Sequence, residues 1–243
     1  MTGALAAAVA WSHCSSGGPG TGKSISAAVL AREAGLDLWR IDLSAVVSKY
    51  IGETEKHLER VFTLARDGNA ILFFDEADAL FGKRSEVKDA HDRYANIEIA
   101  FLLQRLEAYD GVAILATNLA RNVDRAFSRR LHFVIEFPQP DANLRERLWR
   151  QALPAAAPVA RDIDFGFLAR QFAFAGGDIR VAALDAAFAA AGADVAIDMT
   201  LLLQAVSRQL LKQGKVPQAS DFRQYYGLVA ETDQPALRAV VGA

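Results

Sequence analysis

The segment Gly17-Gly18-Pro19-Gly20-Thr21-Gly22-Lys23-Ser24 constrains this chain more than any other. It fits G-x-x-x-x-G-K-[ST], a spacing that requires a strand before it and a helix after it. Its glycines let backbone N–H groups turn inward and hold phosphate oxygens at the positive end of the following helix. Lys23 is expected to reach the β- and γ-phosphates of a nucleotide, and the Ser24 hydroxyl to ligate Mg²⁺. The bland alternative is a glycine-rich turn that happens to precede a helix. The helix is present in pattern, since "KSISAAVLAREAGL" has helical spacing and stops at Gly35, a suitable C-cap. The strand is less regular: "AAAVAWSHC" makes an odd buried strand, because His13 and the serines after it need polar partners.

The chain beyond the loop alternates strands with helices. "DLWRIDL" alternates like a strand. "ETEKHLERVFTLARDG" reads as an amphipathic helix with Leu58, Val61, Phe62 and Ala65 on one face and Gly68 at its end. "AILFF" is a continuous apolar run, as in a parallel strand covered on both faces. "ANIEIAFLLQRLEAYDG" is helical, and "GVAILATN" and "HFVIEF" are two further strands. This grammar predicts a three-layer α/β domain with a mainly parallel sheet. Ligands in such sheets bind beyond the carboxyl ends of the strands. At "FPQPD" the pattern changes, and only helical segments follow. The expected organisation is an α/β domain over 1–137 and a small all-helical domain over 138–243.

The acidic pair Asp75-Glu76 closes the apolar "AILFF" strand. Asp75 is placed to hold Mg²⁺ and Glu76 to polarise an attacking water. Acidic residues at strand ends are common as caps or solvated charge, but a pair following a phosphate loop makes chance a weak explanation. Thr117-Asn118 ends the next strand, where the Asn118 amide is expected to orient that water or touch the γ-phosphate.

Composition limits the partners. With 243 residues and 52% hydrophobic content, the chain is long enough for one large domain plus a small one. A formal charge of −2 argues against a protein that coats nucleic acid. The single cysteine, Cys14, has no internal disulfide partner, and His13-Cys14 lacks clustered ligands for a metal. No run reaches the roughly 18–20 apolar residues of a membrane span. "MTGALAAAVAW" lacks the basic start of a signal peptide. The expectation is a soluble, cytoplasmic protein without a membrane partner.

"GGPGTGKS", "SKYIGETEKHLERVF", "ILFFDEADALFGKR", "ILATN", "DRAFSRRLHFVIEFPQPD" and "GGDIRVAALDAAFAA" occur in the order found in AAA+ ATPases. From about Ser16 to Ala191 the chain resembles that superfamily, near the AAA group proper. The resemblance implies an ATP- and Mg²⁺-dependent ATPase that forms a homo-oligomeric ring, expected as a hexamer, with ATP between subunits. It implies strand order 5-1-4-3-2 and a helical lid. It also implies roles for single residues. Gly17 to Ser24 cradle the nucleotide, and Asn118 resembles sensor 1. Arg129 and Arg130 lie where arginine fingers reach a neighbouring subunit, though "SRRL" is shorter than the usual segment and leaves open which one serves. Arg180 in "GGDIR" resembles a sensor 2 arginine. The family's segment that wraps the adenine is not found before the first strand, so an incomplete N-terminal part is expected.

Within "SKYIG", Tyr50 and Ile51 fall where the family places its first pore loop. An aromatic ring there suits sequence-tolerant gripping of extended polypeptide. A tyrosine buried against the sheet or lid is the alternative. The resemblance thus implies a remodelling machine for protein clients. A non-threading assembly switch is the second reading, and a nucleic-acid loader, disfavoured by charge, the third. "DLSAVVSKYIGETEKHLERVF", "ATNLARNVDRAFSRRLHFVIEFP" and "LLKQGKVPQASDF" together resemble compact ATPases of bacterial extracellular contractile injection systems, whose components would then be the clients.

Overall fold

The computed structural model describes residues 7–12, 20–42, 53–75, 77, 100–102, 104–118 and 132–230. They fall in two compact units, one spanning 1–18 and 22–138, the other spanning 19–21 and 139–243.

The first unit is an α/β structure around a five-stranded sheet. Its strands are β1 (Ala7–Ser12), β2 (Asp37–Asp42), β3 (Ala70–Asp75), β4 (Val112–Thr117) and β5 (Phe133–Ile135). They lie in the order β2-β3-β4-β1-β5, and every pairing is parallel. Helix α1 (Lys23–Ala34) follows the phosphate-loop segment, and α2 (Glu53–Asp67) joins β2 to β3.

The unbroken apolar run of β3 has a direct cause. Its alternate residues point to opposite faces, and both faces are covered. Leu72 and Phe74 pack with Leu58, Phe62 and Ala65 of α2. Ile71 and Phe73 pack with Ala27 and Ala31 of α1. A strand buried on both sides has no solvent-facing register to fill with polar residues. The ends of the helices also follow local chemistry. Gly35 caps α1 in the left-handed conformation at φ 67°, its N–H reaching the carbonyls of Ala31 and Arg32. After α2, the left-handed residue is Asn69 (φ 50°) rather than Gly68, whose N–H bonds Leu64 O. Glycine was therefore a marker of the helix end, and asparagine makes the turn.

The expectation for "HFVIEF" needs narrowing. Only Phe133–Ile135 form the strand, and all three are exposed.

The second unit is helical: α3 (Ala142–Ala152), α4 (Phe165–Gln171), α5 (Gly176–Ala193), α6 (Met199–Lys212), α7 (Ala219–Phe222) and α8 (Tyr226–Ala230). Three aspartates start its helices by accepting backbone N–H bonds: Asp141 from Leu144, Asp164 from Phe167 and Asp198 from Leu201. The core gathers Trp149, Leu168, Phe172, Ile179, Leu202 and Phe222. The alanine-rich α5 buries Ala182, Ala183, Ala186 and Ala190 there, the packing expected of an ordinary helix. Residues 19–21 cluster with this unit. The Gly177 N–H donates to Gly20 O at 2.8 Å, and a Cβ on Gly177 would sit 2.9 Å from Gly20 Cα. Only glycine permits that approach.

Candidate nucleotide site

The site begins with the start of α1. Gly22 precedes Lys23 with φ 102°, and Gly20 has the same φ, values that strain any residue with a Cβ. The first turn of α1 has neither a side-chain cap nor an acidic residue. Its leading N–H groups thus form an uncapped, positively polarised end suited to an anion. The Thr21 hydroxyl is buried and has no hydrogen-bond partner. An orphaned polar atom inside a glycine loop fits a phosphate-bearing ligand, because a buried hydroxyl without a partner is otherwise costly.

Lys23 occupies the same face of α1 as Ala27 and Ala31, one helical turn apart each time, and that face is buried. The lysine is therefore directed toward the sheet rather than into water, with 9% of its surface exposed. Its Nζ donates to Asn118 Oδ1 at 2.6 Å, across 95 residues of sequence. Asn118 directly follows β4, and Thr117 before it is buried. The structure thus brings together two of the residues expected from sequence, the phosphate-loop lysine and the strand-end amide.

Asp75 ends β3, the neighbour of β4, with its side chain 17% exposed. Its Oδ2 accepts from Arg40 Nη2 at 2.5 Å. The sequence reading missed Arg40. The signal was available: in "DLWRIDL", the alternation that sends Leu38 into the α1-side core puts Arg40 on the same face. Ser24 is exposed at the start of α1. Arg180 is exposed on the first turns of α5 in the helical unit. Two positions earlier, the Asp178 carboxylate fixes that helix end, accepting from Ala175 N at 3.2 Å and from Gln209 Nε2 at 2.9 Å. Gly17, Gly18, Pro19, Tyr50, Ile51, Glu76, Arg129 and Arg130 lie outside the described residues.

The donor set fits a Mg²⁺-nucleotide: a glycine loop, a lysine, a hydroxyl beside it and a strand-end carboxylate. No group of three or more His, Cys, Asp or Glu side chains among the described residues forms an all-protein metal cage. No helix among the described residues is long and apolar enough to cross a membrane.

Residues 13–139, about half of the chain, match the family described as "ATPase family associated with various cellular activities (AAA)". Vacuolar protein sorting-associated protein 4B of Mus musculus is 36% identical over 175 residues, 70% of this chain and 39% of its own length. Proteasome-activating nucleotidase 1 of Halobacterium salinarum is 35% identical over 160 residues, 63% of this chain and 39% of its own. Spastin of Anopheles gambiae is 31% identical over 179 residues, 70% of this chain and 21% of its own. The chain spans less than half the length of these relatives.

Proposed function

We propose, from the premise that this chain belongs to the AAA ATPase family, that it binds and hydrolyses Mg²⁺-ATP and uses the energy to remodel protein clients. One observation carries the nucleotide reading: a lysine buried at an uncapped, glycine-led helix start, meeting a strand-end amide at 2.6 Å. A buried ammonium is costly unless it is paired, and phosphate oxygens are a natural second set of acceptors for Lys23. The loop backbone from Gly17 to Gly22 surrounds the phosphates with N–H donors, and Ser24 and Asp75 hold the metal side. Mg²⁺ held there would supply charge neutralisation to the phosphate oxygens. Glu76 polarises the attacking water, and Asn118 orients that water or contacts the γ-phosphate.

Arg129 or Arg130 completes the site from a neighbouring subunit of a ring, expected as a hexamer. Arg180 senses the γ-phosphate from the helical domain. Tyr50, with Ile51 beside it, grips an extended client in the central pore. The clients proposed are components of contractile injection systems, a reading supported by the sequence segments that resemble their compact ATPases. A cytoplasmic location accompanies that role.

The test separates binding from chemistry. Lys23→Ala is expected to lose most nucleotide affinity, whereas Glu76→Gln is expected to retain ATP without cleaving it. Equilibrium binding of a fluorescent nucleotide and phosphate release measure the two. Near-normal turnover in Glu76→Gln removes that residue from the mechanism, and undiminished binding in Lys23→Ala removes the phosphate loop.

A further inference from the structure

We propose that Arg40 latches the carboxylate of Asp75 and must release it when Mg²⁺ binds, so that Arg40 sets the metal concentration the nucleotide site requires. This rests on the nucleotide reading above and adds to it a residue that the motifs of the site do not contain.

The latch follows from strand register. Arg40 stands beside Phe73 and Asp42 beside Asp75 in the parallel pairing of β2 with β3. Residues two apart share a face, so Leu38, Arg40 and Asp42 follow one another on the side where Leu38 meets the α1-side core. Ile71, Phe73 and Asp75 do the same on β3. Asp42 and Asp75 are therefore register partners on one face of the sheet, where like charges repel. Arg40 brings a positive charge to that face, its Nη2 on Asp75 Oδ2 at 2.5 Å.

The two partners are unequal. The Asp75 side chain is 17% exposed and the Arg40 side chain 67%. Asp75 is anchored at a buried strand end, while the arginine has water beside it to swing into. A divalent ion on Asp75 provides the same neutralisation with twice the charge, and it repels a guanidinium a few ångströms away. Arg40 is thus the partner that yields. Because a pair of this exposure is weak and screened, its loss should change metal affinity only about two- to fivefold, and less at high salt.

The experiment uses the full chain with ADP, and Mn²⁺ as a spectroscopic probe for Mg²⁺. Free Mn²⁺ is followed by electron paramagnetic resonance during titration, so hydrolysis is not involved. Arg40→Met should bind Mn²⁺ about two- to fivefold more tightly than wild type. Arg40→Lys, which keeps the charge, should stay near wild type. Adding Arg40→Met to Asp75→Asn should change nothing further, because the latch has already lost its carboxylate. Circular dichroism checks folding, and Arg40→Gln replaces the methionine variant if that one does not fold. Equal or weaker Mn²⁺ binding in the uncharged variant overturns the latch while leaving the nucleotide reading intact. A wild-type chain that binds neither ADP nor Mn²⁺ overturns the nucleotide reading itself.

Discussion

Replacing Asn118 by alanine tests whether the lysine–amide bond holds the nucleotide-free site together. The bond is charge-assisted, 2.6 Å long, and its donor is buried. Hydrogen bonds to charged groups contribute about 1.5–3 kcal/mol. Two features place Asn118→Ala at the low end. Asn118 is exposed, so water can take the vacated position, and Lys23 makes at least one further interaction. A loss of about 1.5 kcal/mol corresponds to roughly tenfold in an equilibrium constant. Amides of β3 and β4 that exchange only through unfolding of the α/β unit should therefore exchange with deuterium about tenfold faster. Asn118→Asp keeps an acceptor and adds a charge, so it should remain near the wild-type rate. Saturating Mg²⁺-ADP gives Lys23 other acceptors and should shrink the difference between Asn118→Ala and wild type. Wild-type exchange in Asn118→Ala without nucleotide would refute the reasoning, since the bond would then carry no stability.

Three further outcomes are expected. Alanine at Arg129 or Arg130 should leave ATP binding largely intact and, at one of the two, abolish hydrolysis. Mixed rings with Lys23→Ala should regain some turnover, and rings shown to mix yet inactive at every ratio contradict a role in trans. Tyr50→Ala should keep assembly and much of the ATPase rate but lose client remodelling, with Tyr50→Phe near normal. Unfolding of the alanine variant, or unchanged remodelling, favours the switch over threading. Tyr109 donates to Ala70 O at 3.2 Å in the core, and burial raises its pKa above the usual tyrosine value, with the nearby Arg66 charge offsetting part of the rise. Its folded-state value exceeds its unfolded one, so its contribution is present below about pH 10 and is lost as pH rises through the folded value. Tyr109→Phe should cost about 0.5–1.5 kcal/mol at pH 8.5, and the gap in denaturation midpoint should close above pH 10. A constant gap argues against a buried, titrating hydroxyl.

The parts legible in the sequence are those where one local rule sufficed. β3 is readable because burial on both faces leaves only apolar residues, and α2 because its buried stripe of Leu58, Phe62 and Ala65 faces one side. The loop is readable because Gly20 and Gly22 require positive φ. Other features needed three dimensions. The Lys23–Asn118 bond joins two segments that only the sheet order makes neighbours. Arg40 reads as solvated charge until its register with β3 puts it beside Asp75. The brevity of β5 was also hidden, because the mostly apolar "HFVIEF" extends to Phe137 whereas only three of its residues pair.

The place of β1 in the sheet has a consequence for synthesis on the ribosome. β1 pairs with β4 from Ala7 beside Val112 to Ser12 beside Thr117, and with β5 at Val9 beside Phe133. Both partners emerge roughly a hundred residues after it. At about 5–20 residues per second, β1 waits on the order of 5–20 s for its neighbours. Meanwhile β2, α1, α2 and β3 can associate, but the β4 side of β3 stays uncovered, a ready target for chaperones or for wrong strands. Lys23 meets Asn118 only once β4 has joined the sheet, because Asn118 directly follows that strand. Nucleotide competence is therefore among the last properties the domain acquires as it is made, and bound nucleotide would mark a finished sheet.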